Sequence, residues 1–202
     1  MTTTENETAN PYWDEIRNHL GPSLFGNGIE INWLDHPSPL RRHDYVTRYA
    51  WTATDPPSVE FVAQHSQGRI VDRMAGTGYW AMILAAHGVD VVASDLNHCG
   101  APYHEGSTPW YPIGTSDGAT ASAAHPDRTL LLSWPPYGEP VGADILAAYT
   151  GSRVIYIGET GSGCCGDEDL FDALGRDWLM IAEHIPMQWA GMHAYLQVYD
   201  RA

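Results

Sequence analysis

The stretch Val71-Asp-Arg-Met-Ala-Gly-Thr-Gly-Tyr-Trp80 places an acid, Asp72, just ahead of two glycines, Gly76 and Gly78. Glycines in a turn between a strand and a helix let the backbone come close to a ligand and offer it main-chain N–H donors. A second acid, Asp95, ends the next apolar run, the place where a carboxylate accepts ribose hydroxyls in dinucleotide-type folds. Together the four residues point to a cofactor built on a nucleoside, against the plainer reading of a tight structural turn. Met74 stands where a third glycine is expected, and its long, adaptable thioether would narrow the space beside the ligand.

Other side chains at strand ends have chemistry of their own. Glu159 follows the apolar run Arg153-Val-Ile-Tyr-Ile157, where it would bind a substrate ammonium or act as a general base; an exposed loop acid is the alternative. Cys164 and Cys165 have no histidine beside them in sequence and read as small loop residues. His98, Cys99 and His104 cluster in sequence, but at no zinc-like spacing, so no metal site is expected.

The elements that must carry these residues alternate. Short apolar runs at 69–72, 89–95, 129–134 and 153–157 read as strands, with a further short strand at Tyr111-Pro-Ile113. Helical patterns lie at 79–87, 143–149 and 168–174, and the tail ends in two strands, 178–185 and 192–199, with no helix between them. Alternation of this kind predicts an α/β fold, a doubly wound and mostly parallel sheet with an antiparallel pair at its edge. Residues 1–10 are polar and read as a disordered tail. Residues 11–66 read as an N-terminal helical extension and 67–202 as a Rossmann-like cofactor-binding domain, one domain overall.

Composition narrows the partners. The 202 residues carry a formal net charge of −15 with ten Lys plus Arg, which disfavours nucleic acid, because phosphate neutralisation needs a basic face. There is no run of about 20 apolar residues to cross a membrane and no signal-peptide core at the start. With three cysteines and no disulfide framework, the expected compartment is cytoplasmic. A homodimer is compatible with the sequence, which does not fix the oligomeric state.

The segment Ile70-Val-Asp-Arg-Met-Ala-Gly-Thr-Gly-Tyr-Trp80, with Val89-Asp-Val-Val-Ala-Ser-Asp-Leu-Asn97 after it, resembles the first two motifs of class I S-adenosylmethionine-dependent methyltransferases. The likeness covers about 69–200 and implies a seven-stranded sheet. It implies that Ala75, Gly76, Thr77 and Gly78 cradle the methionine part of the cofactor. Asp95 would bind the ribose, Leu96 would pack on adenine, and Asp117, in Ser116-Asp-Gly-Ala119, would meet the adenine amino group. Leu132-Ser-Trp-Pro-Pro-Tyr137 resembles the Asn/Asp-Pro-Pro-Tyr signature of amino-group methyltransferases, in which the aromatic residue, here Tyr137, stacks on the substrate. Trp134 occupies the Asn/Asp position; an indole cannot accept a proton, so it reads as an aromatic wall for the sulfonium, a contact worth roughly 0.5–2 kcal/mol. Tyr49 and Trp51 lie where related enzymes carry a lid, which makes Trp51 a second wall candidate.

The resemblance implies methyl transfer to a small molecule bearing an amine. Trp134 and Met74 keep open another reaction of the same sulfonium (aminocarboxypropyl transfer, cyclisation or elimination). A non-catalytic member of the fold is the third reading.

Overall fold

The computed structural model describes residues 9–19, 24–25, 40–96, 103–161 and 163–202. In chain order its elements are α1 (Pro11–Ile16), a 3₁₀ turn (Arg17–His19), β1 (Leu24–Phe25), α2 (Arg42–Arg48), α3 (Pro56–His65), β2 (Arg69–Asp72) and α4 (Tyr79–Ala86). Then come β3 (Asp90–Ala93), α5 (Gly118–Ala123), β4 (Thr129–Ser133), α6 (Val141–Ala148), β5 (Arg153–Gly158), α7 (Glu168–Asp177), β6 (Trp178–His184), β7 (Gln188–Trp189) and β8 (Tyr195–Arg201).

Six strands form the main sheet in the order β3-β2-β4-β5-β8-β6. The first four run parallel, and β8 runs antiparallel to both β5 and β6. Parallel strands need helices on both faces, and their side chains divide accordingly. Ile70, Leu131, Ile155 and Ile157 point into one core with Val59 and Val62 of α3 and Ile83 and Leu84 of α4. Val71, Leu130, Leu132, Val154 and Tyr156 point into the other, with Ile145 of α6 and Leu170 of α7. The alternation along each strand is what lets two helical layers share one sheet.

The structure departs from the sequence reading in its strand count, in α5, a helix that reading did not expect, and at Asn10. Where seven strands were expected, the main sheet has six among the described residues, and the Tyr111–Ile113 run is no strand. Pro112 has no N–H to give a ladder, Trp110 donates its amide to Thr77 O (2.8 Å), and only a parallel bridge between Ser94 and Gly114 remains. Asn10, read as part of a disordered tail, is fixed: its Oδ1 accepts from Trp13 N (3.2 Å) and Tyr79 Oη (2.8 Å), capping α1. Of the rest of that tail, residues 1–8 lie outside the described residues.

Candidate active site

From β2 the chain winds outward to β3, then returns to place β4 on the other side of β2. The order reverses between β2 and β4, and open α/β sheets hold ligands in the crevice at such a point. A cavity of about 480 Å³ lies there, and Asp72, Asp95, Ser133 and Trp134 line it from three strand ends. The same cavity is lined by Ala75, Gly76 and Thr77, by Leu96, and by Trp51 from the segment after α2.

The glycine turn is held from several sides. Gly76 N donates to Asp95 Oδ2 at 2.9 Å, so the turn and the acid after β3 form one unit. Thr77 Oγ1 donates to Tyr49 O, and Thr77 O accepts from Trp110 N. Both glycines have left-handed φ, 55° at Gly76 and 74° at Gly78, which suits residues without a Cβ. Their neighbours differ. A Cβ on Gly76 would lie 3.1 Å from His104 Nε2, inside the cavity lining, whereas one on Gly78 would meet Tyr111 and Ile113 at 3.1 Å. Gly78 therefore lies outside the lining and serves the packing of the 111–113 segment.

Asp72 is the unusual charge of the site. It is 1% exposed, and its Oδ1 is buried with no hydrogen-bond partner among the described residues. Burial, then the nearby charge of Asp95, pushes its pKa up to about 7, against the pull of the Met74 amide and Arg73. Met74 lines the cavity and packs against the second core. Arg73 is buried beside it, donating to Ser94 Oγ (2.9 Å) and Ala121 O (2.7 Å), which ties the ends of β2 and β3 to α5. Burial pulls the pKa of His104 down; Asp95 and the backbone of Thr47 and Val46 work the other way.

Trp134 has a left-handed φ of 51°, a conformation that costs a non-glycine residue about 1–3 kcal/mol. Its amide donates to Ile157 O (2.8 Å), its indole Nε1 to Thr52 Oγ1 (2.6 Å), and its ring stacks on Trp51 at 5.1 Å. Tyr103 meets the edge of Trp51 at 4.8 Å, extending the aromatic wall. The indole N–H is thus taken by the protein and does not face a substrate.

The other candidates lie outside the lining. Tyr137 is 72% exposed. Asp117 caps α5 through Ala119 N (3.0 Å) and Thr120 N (3.4 Å), and the Thr120 contacts lower its pKa; the next residue, Gly118, lines the cavity. Glu159 is buried under its own loop: Oε2 accepts from Cys164 N (2.9 Å) and Cys164 Sγ (3.1 Å), and Oε1 from His193 N (2.7 Å). Burial raises its pKa, but these donors outweigh it and the net shift is downward.

Tyr103, Arg73 and Glu139 also line the cavity, and no sequence signal singled them out. Among the described residues no group of three or more His, Cys, Asp or Glu is set to hold a metal; His98 and Cys99 lie outside them. No described helix is long and apolar enough to cross a membrane.

The architecture is an α/β fold of Rossmann-like type, with a parallel core, antiparallel final strands and a cavity at its switch point. No family model and no curated protein matches the chain. Solved structures do. Sp1610 of Streptococcus pneumoniae, provisionally described as a tRNA (m1A22) methyltransferase, is 15% identical, with 74% of this chain and 71% of that chain covered and a TM-score of 0.51. TrmN of Thermus thermophilus is 17% identical at a TM-score of 0.50; the match covers 72% of this chain and 48% of that one. Magnesium protoporphyrin IX methyltransferase (ChlM) from Synechocystis, solved with S-adenosylmethionine bound, is 17% identical, covering 66% and 69% at a TM-score of 0.46. With Sp1610 and TrmN the shared feature is the fold.

Proposed function

We propose that this protein is an S-adenosylmethionine-dependent methyltransferase acting on a small molecule that bears an amine. The observation that carries the reading is the partnerless buried oxygen of Asp72, in a cavity that also presents the Asp95 carboxylate and the Gly76 turn. These residues fit the cofactor. An acidic oxygen suits an ammonium, a carboxylate suits ribose hydroxyls, and a glycine turn suits a closely approaching chain.

The cofactor supplies an electrophilic methyl group on a sulfonium. In this reading Asp72 with Ala75, Gly76 and Thr77 holds its amino-acid end, Asp95 holds the ribose, and Leu96 and Gly118 border the adenine. Trp51 and Trp134 exclude water and turn aromatic surface toward the cationic centre. Glu139, inside the lining, is the carboxylate given to the acceptor amine in place of Glu159. The helices within 11–66 act as a cover that brings Trp51 to the Rossmann-like domain at 67–202. Nucleic acid and membrane are left out as partners because the net charge of −15 repels phosphates.

One observation favours a second reading, another reaction of the same sulfonium. The position that holds the amine in the Asn/Asp-Pro-Pro-Tyr signature is Trp134, and its N–H is bound to Thr52. Incubation with S-adenosylmethionine alone, followed by mass spectrometry, separates the two. S-adenosylhomocysteine formed only when amines are added supports methyl transfer. Products of cleavage without an acceptor support the second reading. Neither turnover nor binding would sink both.

A further inference from the structure

His104 stands over the glycine turn, in the lining of the cavity, and is 7% exposed. The bare Cα of Gly76 makes room for it. A Cβ there would lie 3.1 Å from Nε2 and 3.5 Å from Cδ2, so that edge of the ring faces the turn. The loop of His104 holds it in place: Ser107 donates to His104 O from its amide (3.0 Å) and its hydroxyl (2.7 Å), and Trp110 ties the same loop to Thr77 O.

The two ring nitrogens differ. Nδ1 is buried and has no hydrogen-bond partner among the described residues; Nε2 has none among them either, yet it is not closed off, and it sits beside Gly76 in the lining. Burial favours the neutral ring, while the main chain of Val46 and Thr47 favours a proton on it. A neutral imidazole carries one N–H and one lone pair. With the proton on the enclosed Nδ1, the lone pair of Nε2 faces the cavity. Asp95, whose Oδ2 accepts from Gly76 N, acts on the ring as a charge, and no hydrogen bond joins the two side chains. Two acceptors thus border one space, and neither can donate to the other. A vicinal diol brings two O–H donors and satisfies both.

We propose that His104 is a cofactor-recognition residue: its Nε2 accepts a hydrogen bond from one ribose hydroxyl while the Asp95 carboxylate takes the other, so that the pair selects a nucleoside with an intact cis-diol. This rests on the S-adenosylmethionine reading, which places the ribose at Asp95 and gives His104 no part.

The test is calorimetry of the full chain at pH 8, above the pKa of Asp72, with S-adenosylhomocysteine and its 2′-deoxy and 3′-deoxy forms. His104→Phe keeps a ring over Gly76 but has no lone pair; His104→Ala removes the ring. Each variant should bind S-adenosylhomocysteine about three- to tenfold more weakly than the wild type, the scale of one neutral hydrogen bond. With one of the deoxy ligands the wild type and His104→Phe should bind alike, because the hydroxyl that met Nε2 is gone; with the other the loss should persist. An equal loss with all three ligands would overturn the proposal, since the ring would then only brace the turn. So would unchanged affinity for S-adenosylhomocysteine in His104→Phe shown to be folded by circular dichroism. Should that variant not fold, His104→Ala is read in the same way. A wild type that binds either deoxy ligand as tightly as S-adenosylhomocysteine overturns the proposal whichever variants fold. Any of these failures with S-adenosylhomocysteine still bound leaves the methyltransferase reading standing; no binding to the wild type removes both.

Discussion

Asp72 ends β2 and Glu159 follows β5, so both carboxylates stand at the carboxyl ends of parallel strands, and both are buried, 1% and 7% exposed. Their acidities move in opposite directions. Asp72 is pushed up to about 7, and Glu159 is held below the ordinary range. Burial acts the same way on each; hydrogen-bond donors make the difference. Glu159 receives two amides and a thiol, whereas one oxygen of Asp72 receives nothing and faces the charge of Asp95. Glu159 is therefore a structural anion that pins its loop to the segment before β8, and Asp72 is a group in want of a partner. Being buried at a strand end does not make a carboxylate functional; an unmet hydrogen bond is the better sign.

The largest effect that separates the two is the pH dependence of stability. For Asp72 the folded pKa lies above the ordinary 3.8, so the folded state binds the proton more tightly. Stability then falls as pH rises from about 4 to about 7 and levels off above, a contribution on the order of 4 kcal/mol. Asp72→Asn should flatten that decline and be the more stable protein at pH 8, measured by denaturant unfolding at pH 5 and pH 8. Equal slopes in both proteins would break the contrast.

Glu159 should behave in reverse. Its depressed pKa gives stability above the unfolded-state value that is lost as pH falls through the folded one. Glu159→Ala leaves the Cys164 and His193 amides without their acceptor and should cost about 2–4 kcal/mol at pH 7 in the same unfolding assay. A loss below about 0.5 kcal/mol would show that the carboxylate does not hold the loop. The smallest effect sharpens the picture: Cys164→Ala removes a single weak donor and should cost roughly 0.5–1 kcal/mol while raising the acid midpoint of the unfolding curve.

What the sequence disclosed follows the same division. The strands, the glycine turn and Asp95 were legible because apolar runs and turn residues are local signals, and the structure brings them together at the switch point. The final antiparallel pair was legible too, since no helix separates its strands. The 111–113 run misled because Tyr and Ile favour strands while Pro112 removes the donor a ladder needs. Partners distant in the chain were invisible: Thr52 for the Trp134 indole, His193 for Glu159, Arg42 for the two tryptophans. Met74, conspicuous as a missing glycine, gives its side chain to the second core and to the cavity wall, a dual contact that spacing alone does not reveal.

The central claim is that the Asp72–Gly76–Asp95 unit is a cofactor cradle. Isothermal calorimetry of S-adenosylmethionine with the wild type and with Asp95→Ala tests it directly. The account predicts saturable one-site binding to the wild type and a loss of about 1.5–3 kcal/mol in the variant, the scale of a charge-assisted hydrogen bond to a ribose hydroxyl. Equal affinity in the two proteins, or no heat with either, would contradict it.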